Sequence, residues 1–233
     1  MFEEKDELAP GRVRVADRRH RHAREVLRAQ PGDALVVGRI GGRLGRGTVL
    51  ALDAHALELE VALDRDPPAK LDVVLALALP RPPSVRKVLQ QATALGVPRF
   101  VLFASARVEK SYWQSTGLEP ERLREQLLLG LEQSVDTVLP EISFARRFRP
   151  FVEDELPRIA RGARILVAHP GEPAAGDARA AGGAAVLVIG PEGGLQDHEL
   201  ARLDAVGATR IALGPRVLRV ETAVVALLAR LAG

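Results

Sequence analysis

The chain has 233 residues, 47% of them hydrophobic and 27% charged, with a formal net charge of +3. That length and composition allow a sizeable core. The expected location is the cytoplasm, because no apolar run nears the roughly 18 residues of a membrane span and the opening MFEEKDELAP is acidic rather than signal-like. Zero cysteines exclude disulfides, thiol chemistry and a cysteine-ligated zinc, and five histidines without H-x-x-x-H spacing argue against any metal.

The basic residues are 29 arginines and four lysines, and seven of the arginines fall between Arg12 and Arg28 in RVRVADRRHRHAREVLR. A helix from about Asp17 onward sets Arg21, Arg24 and Arg28 on one stripe and turns Ala23, Val26 and Leu27 to the core. The stripe reads either as a solvated face or as a phosphate-tracking surface, since the guanidinium fork matches phosphate oxygens and stays charged. On the second reading Arg12, Arg18, Arg19, Arg21, Arg24 and Arg28 contact RNA. DALVVGRI, RGTVLAL and ALELEVAL then follow as short strand-like runs separated by GG and DAH turns, which predicts a small β-barrel carrying the basic helix. The glycines of GRIGGRLGRG lack the Lys-Ser/Thr of a P-loop and read as a hairpin turn.

A composition break at DRDPPAK, residues 64–70, sets a boundary between domains 1–69 and 70–233. The second domain alternates strands and helices. LDVVLALALP fits a strand buried on both faces; SVRKVLQQATALG reads as a helix capped by Ser84 and ended by Gly96. RFVLFAS is a strand, EPERLREQLLLGLEQS a helix, and ARILVAHP and AAVLVIG two further strands. This is an α/β domain with an open sheet, in which ligands sit at the C-terminal strand ends. The Ala/Gly/Pro-rich HPGEPAAGDARAAGGAA reads as a mobile connection.

Two Gly-Pro turns end neighbouring strands, GPEGG at Gly190–Gly194 and a second at Gly214-Pro215. They read either as plain connections or as one pocket. Glycine lets main-chain groups approach a ligand and proline stiffens the loop, so such a pocket suits an adenine edge and a ribose. The lysine and magnesium-binding hydroxyl of a triphosphate site are not placed here.

GPEGGLQDHEL followed by LGPRVLRVETAVVALL closely resembles the C-terminal signature of the RsmE-like 16S ribosomal RNA uridine-N3 methyltransferases, a SPOUT-class family. QQATALGV, LEQS and RRHRHAREVLRAQPGDALVV resemble its upstream segments, so the likeness covers nearly the whole chain. It implies an N-terminal PUA-like β-barrel that binds RNA and a SPOUT methyltransferase domain with a deep C-terminal trefoil knot. It further implies a homodimer through that domain, a ribosomal RNA or small-subunit substrate, and S-adenosyl-L-methionine held in a bent form by the knot loops. The cofactor residues on that basis are Ala168, His169, Ile189, Gly190, Pro191, Gly193, Gly194, Leu213, Gly214 and Leu218. Three departures stand out: Ser105-Ala106-Arg107 replaces a Ser/Thr-Glu-Arg triplet, Val135-Asp136 replaces Gly-Arg, and the insert EKSYWQS holds the only Tyr and Trp. Tyr112 and Trp113 read as base-stacking residues or as an anchor for a long loop.

Methylation at uridine N3 requires loss of the N3 proton, so the site needs a base and a cation. Arg219 is assigned to the developing charge on the uracil oxygens, and Glu221 to the base or to orienting Arg219, with Glu192 the second candidate base. A carboxylate needs burial to act near neutral pH, and Glu221 can equally cap a helix N-terminus. Methylation of another RNA nucleoside and non-catalytic RNA binding are the alternative functions.

Overall fold

The computed structural model describes residues 1–170 and 183–232, so most of the Ala/Gly/Pro-rich connection lies outside the described residues. The chain divides into two compact units, one of Met1–Pro68 with Leu131–Leu139, the other of Ala69–Gly130 with Pro140–Gly233. Leu131–Leu139, inside the second domain by sequence, thus groups with the first.

The first unit is an antiparallel sheet of β1 (Glu7–Ala9), β2 (Arg12–Val15), β3 (Ala34–Gly38), β4 (Leu44–Leu52) and β5 (Leu57–Arg65), ordered β1-β2-β5-β4-β3. Alternate residues of the strands, Val13, Val15, Val37, Val49, Leu57 and Leu59, turn to one face and bury with Phe2 and Ala23. Phe2 ties the chain start to the opposite edge strand: its N–H donates to Gly38 O at 2.9 Å, and Ile40 N–H donates to its carbonyl at 2.9 Å. Gly41, at φ +73°, turns the β3–β4 hairpin expected from the paired glycines. Thr137, in the segment after the long helix, receives the Gly41 N–H and donates its hydroxyl to Gly42 O.

The basic helix α1 spans Arg18–Glu25 and is capped by Asp17, which accepts from Arg19 N–H at 2.9 Å. The Arg19 side-chain hydrogen bond holds the Asp17 carboxyl down at about 2. The buried positions of α1 are His20 and Ala23; Val26 and Leu27, expected in the core, are 66% and 52% exposed. The helix stops too early for them. Val26 and Leu27 N–H both bond His22 O, Arg28 takes the left-handed φ of +51°, and Ala29 N–H returns to Ala23 O, so Arg28 also leaves the stripe.

The second unit is a six-stranded parallel sheet of β6 (Val73–Ala78), β7 (Arg99–Phe103), β8 (Glu141–Ala145), β9 (Arg164–Ala168), β10 (Ala185–Ile189) and β11 (Thr209–Ile211), ordered β11-β9-β10-β6-β7-β8. Every β10 residue is buried, as are Leu75, Ala76, Leu77 and Ala78 of β6, which accounts for the uninterrupted apolar runs. The helices are α2 (Pro82–Ala94), α3 (Pro120–Ser134), α4 (Phe148–Pro150), α5 (Leu156–Ile159), α6 (Asp197–Ala205) and α7 (Val220–Ala232), with a wider turn at Phe151–Glu155 joining α4 to α5. Gly96 ends α2 at φ +89°, as read from sequence. Ser84 is not its cap. Pro82 and Pro83 need no N–H partner in a first turn, so the helix starts earlier, behind Arg81, and Ser84 is freed for another contact. The chain runs outward from β6 to β8 and returns on the other side of β6, so the order reverses between β6 and β10. The carboxyl ends of strands flanking such a reversal form a crevice.

A prediction follows for the first unit. A Cβ on Gly45 would lie 1.9 Å from the Ala62 carbonyl oxygen, where the β4–β5 register shifts. Gly45→Ala should cost about 1–3 kcal/mol, the usual scale for overpacking, measured by denaturant unfolding. An unchanged midpoint would show that the ladder absorbs the methyl.

Candidate functional site

Three turns, following β9, β10 and β11, rim one cavity of about 300 Å³ closed by Val220, Ala223 and Leu227 of α7. The strand register aligns them: Ala168 pairs with both Ile189 and Ile211, the last residues of their strands, so the chain leaves all three at one level. The ten residues assigned by resemblance, Ala168, His169, Ile189, Gly190, Pro191, Gly193, Gly194, Leu213, Gly214 and Leu218, all line it. Glu192, Arg216 and Val217 line it as well. The wall is therefore mostly main chain and aliphatic side chains, with a carboxylate and a guanidinium at hand.

Two glycines meet specific demands. Gly214 sits at φ +111°, where a side chain is strained, and a Cβ on Gly193 would press within 3.0 Å of Arg107. Arg107 lies over this turn and its Nη1 donates to Gly193 O. Ala106, which lacks the carboxylate of the resembled triplet, contributes its backbone N–H instead, to buried Glu199 at 2.8 Å. Glu199 also accepts from Gln196 N–H at 2.9 Å and so joins the loop after β7 to the start of α6. Sequence reasoning gave neither Arg107 nor Glu199 this task, because the contact spans distant segments.

The three catalytic candidates separate. Glu192 lines the cavity, and its carboxylate accepts Arg81 N–H at 3.2 Å and lies 3.6 Å from the Arg81 guanidinium. Arg219 is exposed just before α7 and accepts Ala223 N–H on its carbonyl. Glu221 is only 9% exposed, yet its carboxylate turns to α2, where Ser84 Oγ donates at 3.2 Å and Lys87 Nζ lies at 3.5 Å. Its own backbone N–H, then Ser84 and Lys87, hold its pKa below the usual carboxylate value, against burial. The burial that a carboxylate base working near neutral pH would need is outweighed here by the helix start, Ser84 and Lys87.

The basic residues from Arg12 to Arg28 divide by their partners. Arg18 forks onto Glu132 at 2.7 and 2.9 Å, and Arg19, 17% exposed, clamps Asp6 and Asp17. Arg12 lies 3.7 Å from Glu58, while Arg24 contacts Glu25 at 2.8 Å and Ala54 O at 3.3 Å. Arg21 and Arg28 are exposed without a carboxylate partner among the described residues. Asp136, one of the departures, is buried and closes a turn by accepting Val138 N–H at 3.0 Å. The Tyr112-Trp113 insert forms a short helical turn, Lys110–Gln114, whose Trp ring meets Phe144 and Arg146. No group of His, Asp and Glu suited to a metal occurs among the described residues.

The RNA methyltransferase domain family matches residues 67–232. The ribosomal RNA small subunit methyltransferase E of Mycobacterium tuberculosis is 32% identical over 207 residues, 87% of this chain and 79% of the relative. That of Treponema pallidum is 28% identical over 211 residues, covering 89% and 79%. Two solved structures share the fold: a Legionella pneumophila methyltransferase in complex with S-adenosylmethionine, TM-score 0.75 at 24% identity, covering 99% of this chain and 95% of that one, and the Neisseria gonorrhoeae small subunit methyltransferase E bound to S-adenosyl methionine, TM-score 0.73 at 24% identity, covering 98% and 94%.

The Glu221 contacts predict a pH-dependent stability. A carboxyl with a depressed folded pKa stabilises above its unfolded value, near 4.5, and loses that contribution as pH falls through the folded value. Glu221→Gln should therefore melt below wild type at pH 7, with the gap closing as both are acidified to pH about 3. A gap that persists at low pH would assign the loss to packing instead.

Proposed function

The chain belongs to the ribosomal RNA small subunit methyltransferase E family, within the RNA methyltransferase domain family, and we propose that it transfers a methyl group from S-adenosylmethionine to N3 of a uridine in 16S ribosomal RNA. The observation that carries this reading is the single cavity rimmed by both Gly-Pro turns at the point where strand order reverses. Its volume of about 300 Å³ is at the lower end for small-molecule sites, and its lining of main chain, Leu213, Leu218 and Ile189 fits an adenine and a ribose. We propose that the ten lining residues named above hold the cofactor. Bound there, S-adenosylmethionine supplies an electrophilic methyl on a positively charged sulfur.

This chain's residues then have to manage one proton and one developing charge. Glu192, which lines the cavity, accepts the uridine N3 proton, and Arg81 beside it holds the carboxylate in place. Arg219 and Arg216, on the turn before α7, donate to the uracil oxygens as negative charge spreads onto them, and N3 takes the methyl. Glu221 fixes the start of α7 against α2, and through it the backbone that carries Arg219; this is its role in place of the base.

The finer architecture is proposed on the same footing. The first unit is a PUA-like barrel, supported by the Phe2 bridge between its edges, and binds RNA through Arg21 and Arg28. The turns after β10 and β11 form a trefoil knot, supported by the return of β9, β10 and β11 to the β6 side of the sheet. The active unit is a cytoplasmic homodimer joined through the second unit.

The reading is tested with small-subunit RNA from cells lacking the enzyme, scored for 3-methyluridine by nucleoside mass spectrometry. Arg219→Ala and Glu192→Gln should each lower turnover by on the order of a hundredfold while changing cofactor affinity far less. Methylation at another nucleoside would refute the uridine assignment, and near-normal turnover of Glu192→Gln would refute its place as base.

The RNA contact has its own readout. Each phosphate contact adds roughly 0.7–0.9 to the slope of log affinity against log salt, so replacing Arg21 and Arg28 together by Ala should flatten the slope by about one to two units. Arg18→Ala should instead lower the melting temperature, as befits a guanidinium already engaged by Glu132. A salt slope unmoved by the double replacement would return these two arginines to plain solvation.

A further inference from the structure

The loop from Ser105 to Glu119 starts beside the turn after β10 and reaches the edge strand β8. Its first part is tied to the proposed cofactor turn through Arg107 and Gly193. Further along, Tyr112 shares a small cleft with Pro80 and Pro82, the residues flanking Arg81, which pairs with Glu192. The Tyr112 phenol donates to Glu109 at 3.1 Å. Its pKa is pushed up, first by burial, then by Glu109, and also by the charge of Glu192. Tyr112 thus belongs to the neighbourhood of the cavity.

The next residue faces elsewhere. Trp113 meets Phe144 edge-on, with ring centroids 6.3 Å apart, and the Arg146 guanidinium lies 5.0 Å over the indole. Phe144 belongs to β8, the edge strand, and remains 41% exposed, while Trp113 is itself only half-buried. An aromatic pair serving only to pin a loop would gain most by burying both rings, and this one leaves a phenyl face in water. Its near neighbours in sequence are cations, and Glu109, next to Lys110, accepts from Tyr112 and Ser111 instead. Arg146, Arg147 and Lys110 are exposed with no carboxylate partner among the described residues, whereas nearby Arg149 is paired with Glu153 at 2.8 Å. Exposed rings among unneutralised cations are what an unpaired nucleotide strand recognises: bases stack on the rings and phosphates meet the cations.

We propose that Trp113, Phe144 and Arg146 form a stacking platform for an unpaired RNA base close in the strand to the methylated uridine, with Arg147 and Lys110 on its phosphates. The proposal rests on the methyltransferase reading above for the identity of the strand. Because Tyr112 and Trp113 are consecutive, a strand with its target in the cavity carries its neighbours toward the platform. Holding that neighbour draws the target uridine out of its own stack and sets its ring against the cofactor.

Trp113 is the only tryptophan, so intrinsic fluorescence reads the platform directly in the full chain. Titration with a single-stranded oligoribonucleotide spanning the target uridine should give saturable quenching, absent with an abasic ribose-phosphate chain of equal length. Phe144→Ala and Trp113→Ala should raise the KM for RNA about fivefold to a hundredfold, with turnover and S-adenosylmethionine affinity near wild type, and Trp113→Phe should recover most of the loss. RNA that binds and is methylated without altering the fluorescence, or an unchanged KM in Phe144→Ala, would overturn the platform. So would quenching by assembled small subunits but not by free RNA, which would make a ribosomal protein the occupant. Quenching without methyl transfer by the wild-type chain would instead overturn the methyltransferase reading and leave the platform standing.

Discussion

The site depends on the parallel register of β10 between β6 and β9. Ile189 pairs with Leu77 on one side and Ala168 on the other, and Ala168 pairs in turn with Ile211. Only that alignment brings three turns to one height. β10 is buried on both faces, so a one-residue slip would exchange its two sets of side chains and misfit both packed layers; the core that fixes the register also fixes the cavity. Hydrophobic packing, which has no direction of its own, thereby positions main-chain groups that do. The chemistry has few charged residues because the strand ends supply most of the shape.

Much of this was legible in the chain. Uninterrupted apolar runs announced β6 and β10, Gly96 announced the end of α2, and the two Gly-Pro turns announced the cavity. What was not legible depended on distant partners. The run EISFA became β8 because it pairs with β7, yet four of its five residues are not buried, so its hydrophobic signal is weak. Val26 and Leu27 look like core residues at helical spacing, and only the early stop of α1 exposes them. Ser84 has the composition of a cap, but two preceding prolines take the first turn and its hydroxyl serves Glu221. The direction of the Glu221 carboxylate was hidden for the same reason: sequence shows that Glu221 begins a helix, not which way its side chain turns.

Arginine is used here in two ways that composition cannot distinguish. Arg18 and Arg19 are staples, forked onto carboxylates from other parts of the chain, and Arg107 is a latch on a glycine carbonyl. Such pairs trade hydration for fixed geometry, and the planar guanidinium loses less freedom per hydrogen bond than lysine would. Arg21, Arg28, Arg146 and Arg147 carry the same group without a carboxylate to neutralise it. The positive field that can attract RNA comes from cations of this second kind, fewer than a count of basic residues suggests.

The grip of Thr137 on the Gly41-Gly42 hairpin bears on synthesis as well as on the finished fold. The first unit includes Leu131–Leu139, so its final complement of residues leaves the ribosome only after β6, α2, β7 and α3 have been made. Until then the antiparallel sheet has its own core but lacks the contacts that hold its hairpin tip, and Glu132 is not yet present to receive Arg18. The nascent N-terminal unit is therefore completed only after Ala69–Gly130, about two fifths of the second unit, has been made. Completion of the first unit is thus coupled in time to the growth of the other, an order of assembly written into the chain by one nine-residue return.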